Sequence, residues 1–108
     1  MDHPKPLWPQ DYASFFPDKV GKTTLFESER MMVGLNAFDP GQEHELHTHD
    51  EMDKVCSVLS GTGEFLLDDG GHAMEAGMSL IVPAGAAHGI KNTGKDRMVI
   101  LVVLAPPA

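Results

Sequence analysis

A single cysteine, Cys56, stands in a chain of 108 residues. That excludes an internal disulfide, and with it the stapled class of small secreted domain. Bases are scarce: eight Lys and Arg face sixteen Asp and Glu, for a net charge of −8. Nucleic-acid backbones and anionic membrane surfaces repel a chain this acidic, so neither is an expected partner. Long apolar runs are missing as well. The longest, Met98 to Ala105, is far too short to cross a bilayer. The opening Met1-Asp2-His3-Pro4-Lys5-Pro6 lacks the apolar stretch of a secretory leader, so the expected location is cytoplasmic. No window of a dozen residues keeps an apolar stripe of helical period free of Gly and Pro. A helical domain is therefore excluded.

Turn residues and short apolar runs are what the chain does have. It contains 11 glycines and 8 prolines, and its 42% hydrophobic content is that of a folded globular domain. The length suits one domain. Residues 1–22 differ from the rest, carrying Pro4, Pro6, Pro9 and Pro17 among Leu7, Trp8, Tyr12, Phe15 and Phe16. They read as an irregular arm whose aromatics pack on the domain or on a second subunit. Residues 23–108 read as strands cut by turns: Thr23–Glu27, Arg30–Phe38, Leu46–His49, Lys54–Leu59, Glu64–Leu67, His72–Glu75, Ser79–Val82, His88–Lys91 and Arg97–Leu104. Asp39-Pro40-Gly41 and Asp68-Asp69-Gly70-Gly71 are strong turn signals. The expected fold is all-β, an antiparallel sandwich or barrel. Its last strand, from Met98 to Leu104, is apolar on both faces and must be covered on both, which points to a homodimer.

The charge is uneven. Residues 1–53 hold eleven acids and four bases, residues 54–108 five and four. Between residues 39 and 53 six acids occur with no Lys or Arg, which reads either as a solvated acidic loop or as a mouth that gathers cations. Two histidines of that window, His47 and His49, flank Thr48, and in extended chain such a pair projects to one face. His44 is close by, and His88 follows much later in Pro83-Ala84-Gly85-Ala86-Ala87-His88. Taken singly, each is as compatible with an exposed polar residue as with a ligand. Cys56, inside the run Val55 to Leu59, reads as a small buried hydrophobe.

Spacing adds what single residues lack. Gly41, five residues, then His47-Thr48-His49 and later Gly61 form one pattern. Gly77, five residues, Pro83, one residue, Gly85, two residues, His88, three residues and Asn92 form a second. Together they resemble the two motifs of the cupin superfamily, with the short intermotif stretch Thr62 to Ala76 typical of small members. The resemblance covers residues 23–105 and implies a small jelly-roll barrel. It also implies that His47, His49 and His88 converge on a divalent transition metal, for which imidazoles suit Fe, Zn, Ni, Mn or Cu.

One position departs from that pattern. Lys54, with six residues between it and Gly61, stands where such proteins usually carry a glutamate ligand. Asp53 becomes a fourth ligand if a bulge turns it inward, and Glu51 is a third candidate. The pocket is expected among Cys56, Val58, Phe65, Leu67, Ile81 and Ile90, with Met52 beside it. The resemblance implies a small-molecule ligand or substrate and two readings: a metal-dependent enzyme of the dioxygenase, isomerase or lyase class, or a non-catalytic barrel that binds a small ligand or senses metal.

Overall fold

Alternation of inward and outward side chains shapes nine strands: β1 (Gly21–Glu27), β2 (Met32–Phe38), β3 (Glu43–His47), β4 (Asp53–Ser60), β5 (Thr62–Leu67), β6 (Gly70–Glu75), β7 (Ser79–Val82), β8 (His88–Lys91) and β9 (Met98–Ala105). The computed structural model describes residues 3–107. Met1, Asp2 and Ala108, counted above with the arm and the barrel, lie outside the described residues. The strands form two antiparallel sheets, ordered β1-β2-β9-β4-β7 and β3-β8-β5-β6. Strands distant in sequence thus become neighbours, as the expected all-β jelly roll requires. Among the described residues, no helix is long and apolar enough to cross a membrane.

The inner face of the larger sheet explains where the barrel is solid and where it is open. Register aligns Phe38 with Met98, and Asn36 with Ile100 and Val58. With Phe65, Met74 and Ile90 from the smaller sheet, Phe38, Met98, Ile100 and Val58 fill one end. Each large apolar side chain buried there contributes about 1.5–3 kcal/mol. Further along the same face the aligned residues are Thr24, Gly34, Val102 and Cys56, then Met32, Leu104, Lys54 and Val82. Small Thr24 and Gly34 leave that end unfilled.

The outer face shows how β9 is covered on its second side. Gly21, Ala37 and Val99 lie opposite one another across β1, β2 and β9. A Cβ at Gly21 would run into the Ser14 carbonyl oxygen, so the arm crosses the sheet at this row. Ala37 and Val99 are accordingly buried. The far row, made of Phe26, Val33, Val103, Val55 and Ile81, is only half-buried along its length, and Ile81 is 67% exposed. Within the arm, Pro9–Tyr12 forms one 3-10 turn, and the Gln42 side-chain amide donates to the carbonyls of Phe16 and Lys19. Phe15 lies under the Arg97 guanidinium, whereas Trp8 is 77% exposed.

Only β7 and β8 keep the boundaries of the sequence reading; the other strands shift by one to three residues, and two of these shifts bear on the site. β1 begins at Gly21 rather than Thr23, because Gly21 and Lys22 already pair with Ala37 and Asn36. β3 occupies Glu43–His47 instead of Leu46–His49. Its pairing starts immediately after the turn at Gly41, where Gly41 N–H donates to Asn92 and Asn92 N–H to Gln42. His49 is left beyond the strand end. The expected turn at residues 60–63 tightens onto Gly61, which has φ +85° and no room for a Cβ, since that atom would sit 2.6 Å from the Arg97 carbonyl oxygen.

Asn92, the last residue of the second motif, closes the solid end. It is 1% exposed, and its Nδ2 group donates to the carbonyls of Phe38 (3.1 Å) and Asp96 (2.9 Å) while Oδ1 accepts from Gly94 N–H (3.0 Å). Asn92→Ala strands these backbone groups in a poorly solvated place, at an expected cost of about 2–4 kcal/mol. Chemical denaturation checks this: the midpoint should fall clearly, and an unchanged midpoint would contradict the role given to the side chain.

Candidate metal centre

β3 and β8 build the site by facing each other directly. His47 is the register partner of His88, and the pairing slips between His44 and His47. Gly89 allows the close approach, because a Cβ on it would lie 2.6 Å from the His44 carbonyl oxygen. The slip turns both His44 and His47 inward although three positions separate them. His49 completes the group from the loop beyond β3. The ring centroids of His47 and His88 are 4.4 Å apart, those of His47 and His49 4.9 Å, and those of His49 and His88 5.8 Å.

The three imidazoles offer ligand nitrogens that all lie within 4.8 Å of one another. Backbone carbonyls set their orientation. His47 Nδ1 hydrogen-bonds the Glu45 carbonyl at 2.7 Å, and His88 Nδ1 hydrogen-bonds that of Ala86 at 3.3 Å. A nitrogen facing a carbonyl must carry the proton, which leaves each Nε2 as a bare lone pair. His88 is 1% exposed, and its Nε2 is buried without a hydrogen-bond partner. A lone pair left unmatched there costs stability unless something positive meets it. The residues fit a metal of the kind imidazole prefers.

The proposed fourth ligands are elsewhere. Asp53 is exposed on the outer face of β4, and its Oδ1 accepts the Ala84 N–H at 2.9 Å. No bulge turns it inward, since β4 pairs regularly with β7 and β9 from Asp53 to Val58. Glu51 is exposed in the preceding turn. Contrary to the expectation for Asp53 and Glu51, neither carboxylate joins the three histidines. The pleat instead sends Lys54 inward, opposite Leu104 and Val82, and leaves it 7% exposed.

Burial and nearby lysines set the local electrostatics. Burial, then its positive charge, lowers the pKa of His88 to about 4 and that of His49 below the ordinary value. Burial, followed by the charges of Lys22 and Lys54, lowers that of His44 to about 4. Burial likewise depresses Lys54 itself, with Lys22 adding to the effect, and raises the Cys56 thiol. The neutral form of His49 and His88, the form that binds metal, is thereby favoured.

A cavity of about 560 Å³ opens over Gly34, walled by Lys22, Thr24, His44, His47, His49 and Lys54. It is not the pocket expected from the sequence. Cys56, Val58, Phe65 and Ile90 belong to the solid core, Met52 packs against that core, and Ile81 faces out. Leu67 and Ile81 line a separate depression that reaches His88 past Ala86 and Ala87. His44, off the motif, is a cavity residue that spacing alone does not reveal. Its place shows only through the β3 slip, and its ring meets Phe38 edge-on at 5.2 Å.

Comparisons with known proteins agree with this geometry. The structure superposes on a protein of Thermus thermophilus, TT1209, with a TM-score of 0.84 and 36% identity, covering 90% of this chain and 92% of that one. It superposes on an RmlC-like cupin from Desulfovibrio desulfuricans with a TM-score of 0.88 and 30% identity, covering 98% and 100%. Auxin-binding protein 1 of Arabidopsis thaliana is 29% identical over 97 residues, which is 82% of this chain and 48% of that protein. The chain therefore spans about half the length of that relative. A family model described as the cupin domain matches residues 34–104, a span that includes His47, His49, Lys54, His88 and the strands that carry them, and the chain thus belongs to the cupin family.

Proposed function

We propose that this chain is a metal-binding cupin in which His47, His49 and His88 hold one divalent transition metal and present it to a small molecule in the adjoining cavity. The observation that carries this reading is the buried, unpartnered Nε2 of His88, aimed into a group of three converging ligand nitrogens. Bound there, such a metal would supply Lewis acidity or a redox centre to an oxygen-bearing ligand. The chain's own part is to hold two of the rings by Nδ1 hydrogen bonds, to favour the neutral form of His49 and His88, and to open the group to the adjoining cavity. An enzyme of the dioxygenase, isomerase or lyase class fits that arrangement. A non-catalytic barrel that binds a ligand or senses metal is the second reading, favoured by the inward Lys54 where a ligand carboxylate would strengthen the centre. The single free thiol, Cys56, is buried and accords with a cytoplasmic setting.

Metal titration of purified protein tests the centre. Wild-type protein should bind about one zinc or nickel per chain, and His88→Ala should lose most of it while remaining folded. Stoichiometric metal in His88→Ala would defeat the assignment. Lys54→Glu removes a like charge and adds an oxygen ligand, so it should tighten binding at least tenfold, about 1.4 kcal/mol. Lys54→Met should tighten it less, and Asp53→Asn should leave it unchanged. Weaker binding in Asp53→Asn would restore that carboxylate as a ligand.

We also infer a homodimer through the outer face of the larger sheet. The arm covers only the Gly21 end, and the apolar row from Phe26 to Ile81 crosses all five strands with its β4 and β7 end most open. A shallow apolar groove of about 350 Å³ between Val55, Ile81 and Val103 continues it. A second copy supplies a matching row about a twofold axis. Sedimentation velocity at micromolar concentration should show a dimer that Ile81→Glu dissociates; a monomeric wild-type protein would refute the interface.

A further inference from the structure

Lysine is almost never buried without a partner. Lys54 is buried on the inner face of the barrel, and among the described residues no carboxylate forms an ion pair with it. Its neighbours on that face, Leu104 and Val82, are apolar. Lys22 lines the same cavity from β1, and His44, His47 and His49 line it from the β3 side, the last two shared with the candidate metal centre. The acidic residues of the cavity, Glu43 and Glu45, are exposed. Lys22 is exposed as well, so of the four charged side chains that line this cavity only Lys54 is buried, in a chain whose net charge is −8. A metal on the histidines would add further positive charge to the same walls.

We propose that the cavity takes a small carboxylate, with Lys54 holding the carboxylate and the three-histidine centre receiving a second oxygen of the same molecule; the latter half rests on the metal reading above. A small acid carrying a hydroxyl or carbonyl beside its carboxylate has the necessary groups. The cavity, about 560 Å³, is in the usual range for small-molecule sites. The anion supplies the negative charge that a ligand glutamate supplies elsewhere, and it does so only when bound. In this account Lys54 determines specificity: it makes the centre alone a weaker metal site and makes the anion part of its completion. Burial weakens the competing hydration of the ammonium, which strengthens its pairing with an entering carboxylate.

Lactate and its neutral analogue lactamide are suitable probes, because they differ at the carboxylate alone. Both are titrated by NMR into the full chain at pH 7.5, with and without one equivalent of zinc. Wild-type protein should bind lactate at least tenfold more tightly than lactamide when zinc-loaded, and with a smaller preference in the same direction when metal-free. Lys54→Met should lose the preference in both states while its zinc affinity rises, an opposite pair of changes that a merely unfolded variant could not produce. Lys54→Arg should keep the preference. If wild-type protein holds no zinc yet prefers lactate through Lys54, the carboxylate site stands and the metal reading falls. Zinc-loaded wild-type protein with no preference, or Lys54→Met binding lactate as tightly as wild type, overturns the inference and leaves the metal reading intact.

Discussion

The pairing of His47 with His88 across β3 and β8 is the contact on which the rest of the site depends. It brings together two residues forty-one positions apart, and only an antiparallel sheet that joins distant strands does so without a long loop. Gly89 keeps the two backbones close, and carbonyls of Glu45 and Ala86 hold the rings. Imidazole orientation is thus tied to backbone geometry rather than to mobile side chains. That is the condition for a centre whose ligands are organised before any ion arrives.

A second constraint is the gradient along the barrel interior. Large side chains at the Phe38 and Met98 end supply the folding energy, and small ones at the Thr24 and Gly34 end leave space. The two ends share β2, β4 and β9, so the core can fix the position of the cavity walls. Lys54 sits on the open side of this gradient, and stability is spent there on burying a cation rather than an apolar group. Its field acts on His44, His49 and His88 together, which couples the centre to whatever negative group enters the cavity.

Much of this was legible in the sequence. Turn residues marked most strand ends, because Gly41, Gly61, Gly77 and Gly85 all adopt the positive φ that their turns demand. The convergence of His47, His49 and His88 was legible through spacing. Lys54 was legible as a departure, but not its direction: the choice between Lys54 and Asp53 depends on whether β4 is bulged, and only pairing with β7 and β9 decides it. The pocket was misplaced for a similar reason. Apolar residues at inward positions look alike in sequence whether they fill a core, as Cys56 and Val58 do, or line a space. The role of His44 was hidden behind a slip in register, a long-range property of β3 against β8. An arm packed on the domain was among the expected alternatives, and the close approach of Ser14 to Gly21 fixes the row at which it crosses.

The most direct measurement is a long-range ¹H–¹⁵N correlation of the six imidazoles while zinc is titrated into the full chain. Nε2 of His47 and His88, together with one nitrogen of His49, should shift at about one zinc per chain, with the Nδ1 protons of His47 and His88 retained. His3 and His72, exposed and remote from the cavity, should not move. Binding through Nδ1 of His47 or His88, or zinc-induced shifts confined to other histidines, would contradict the three-histidine centre.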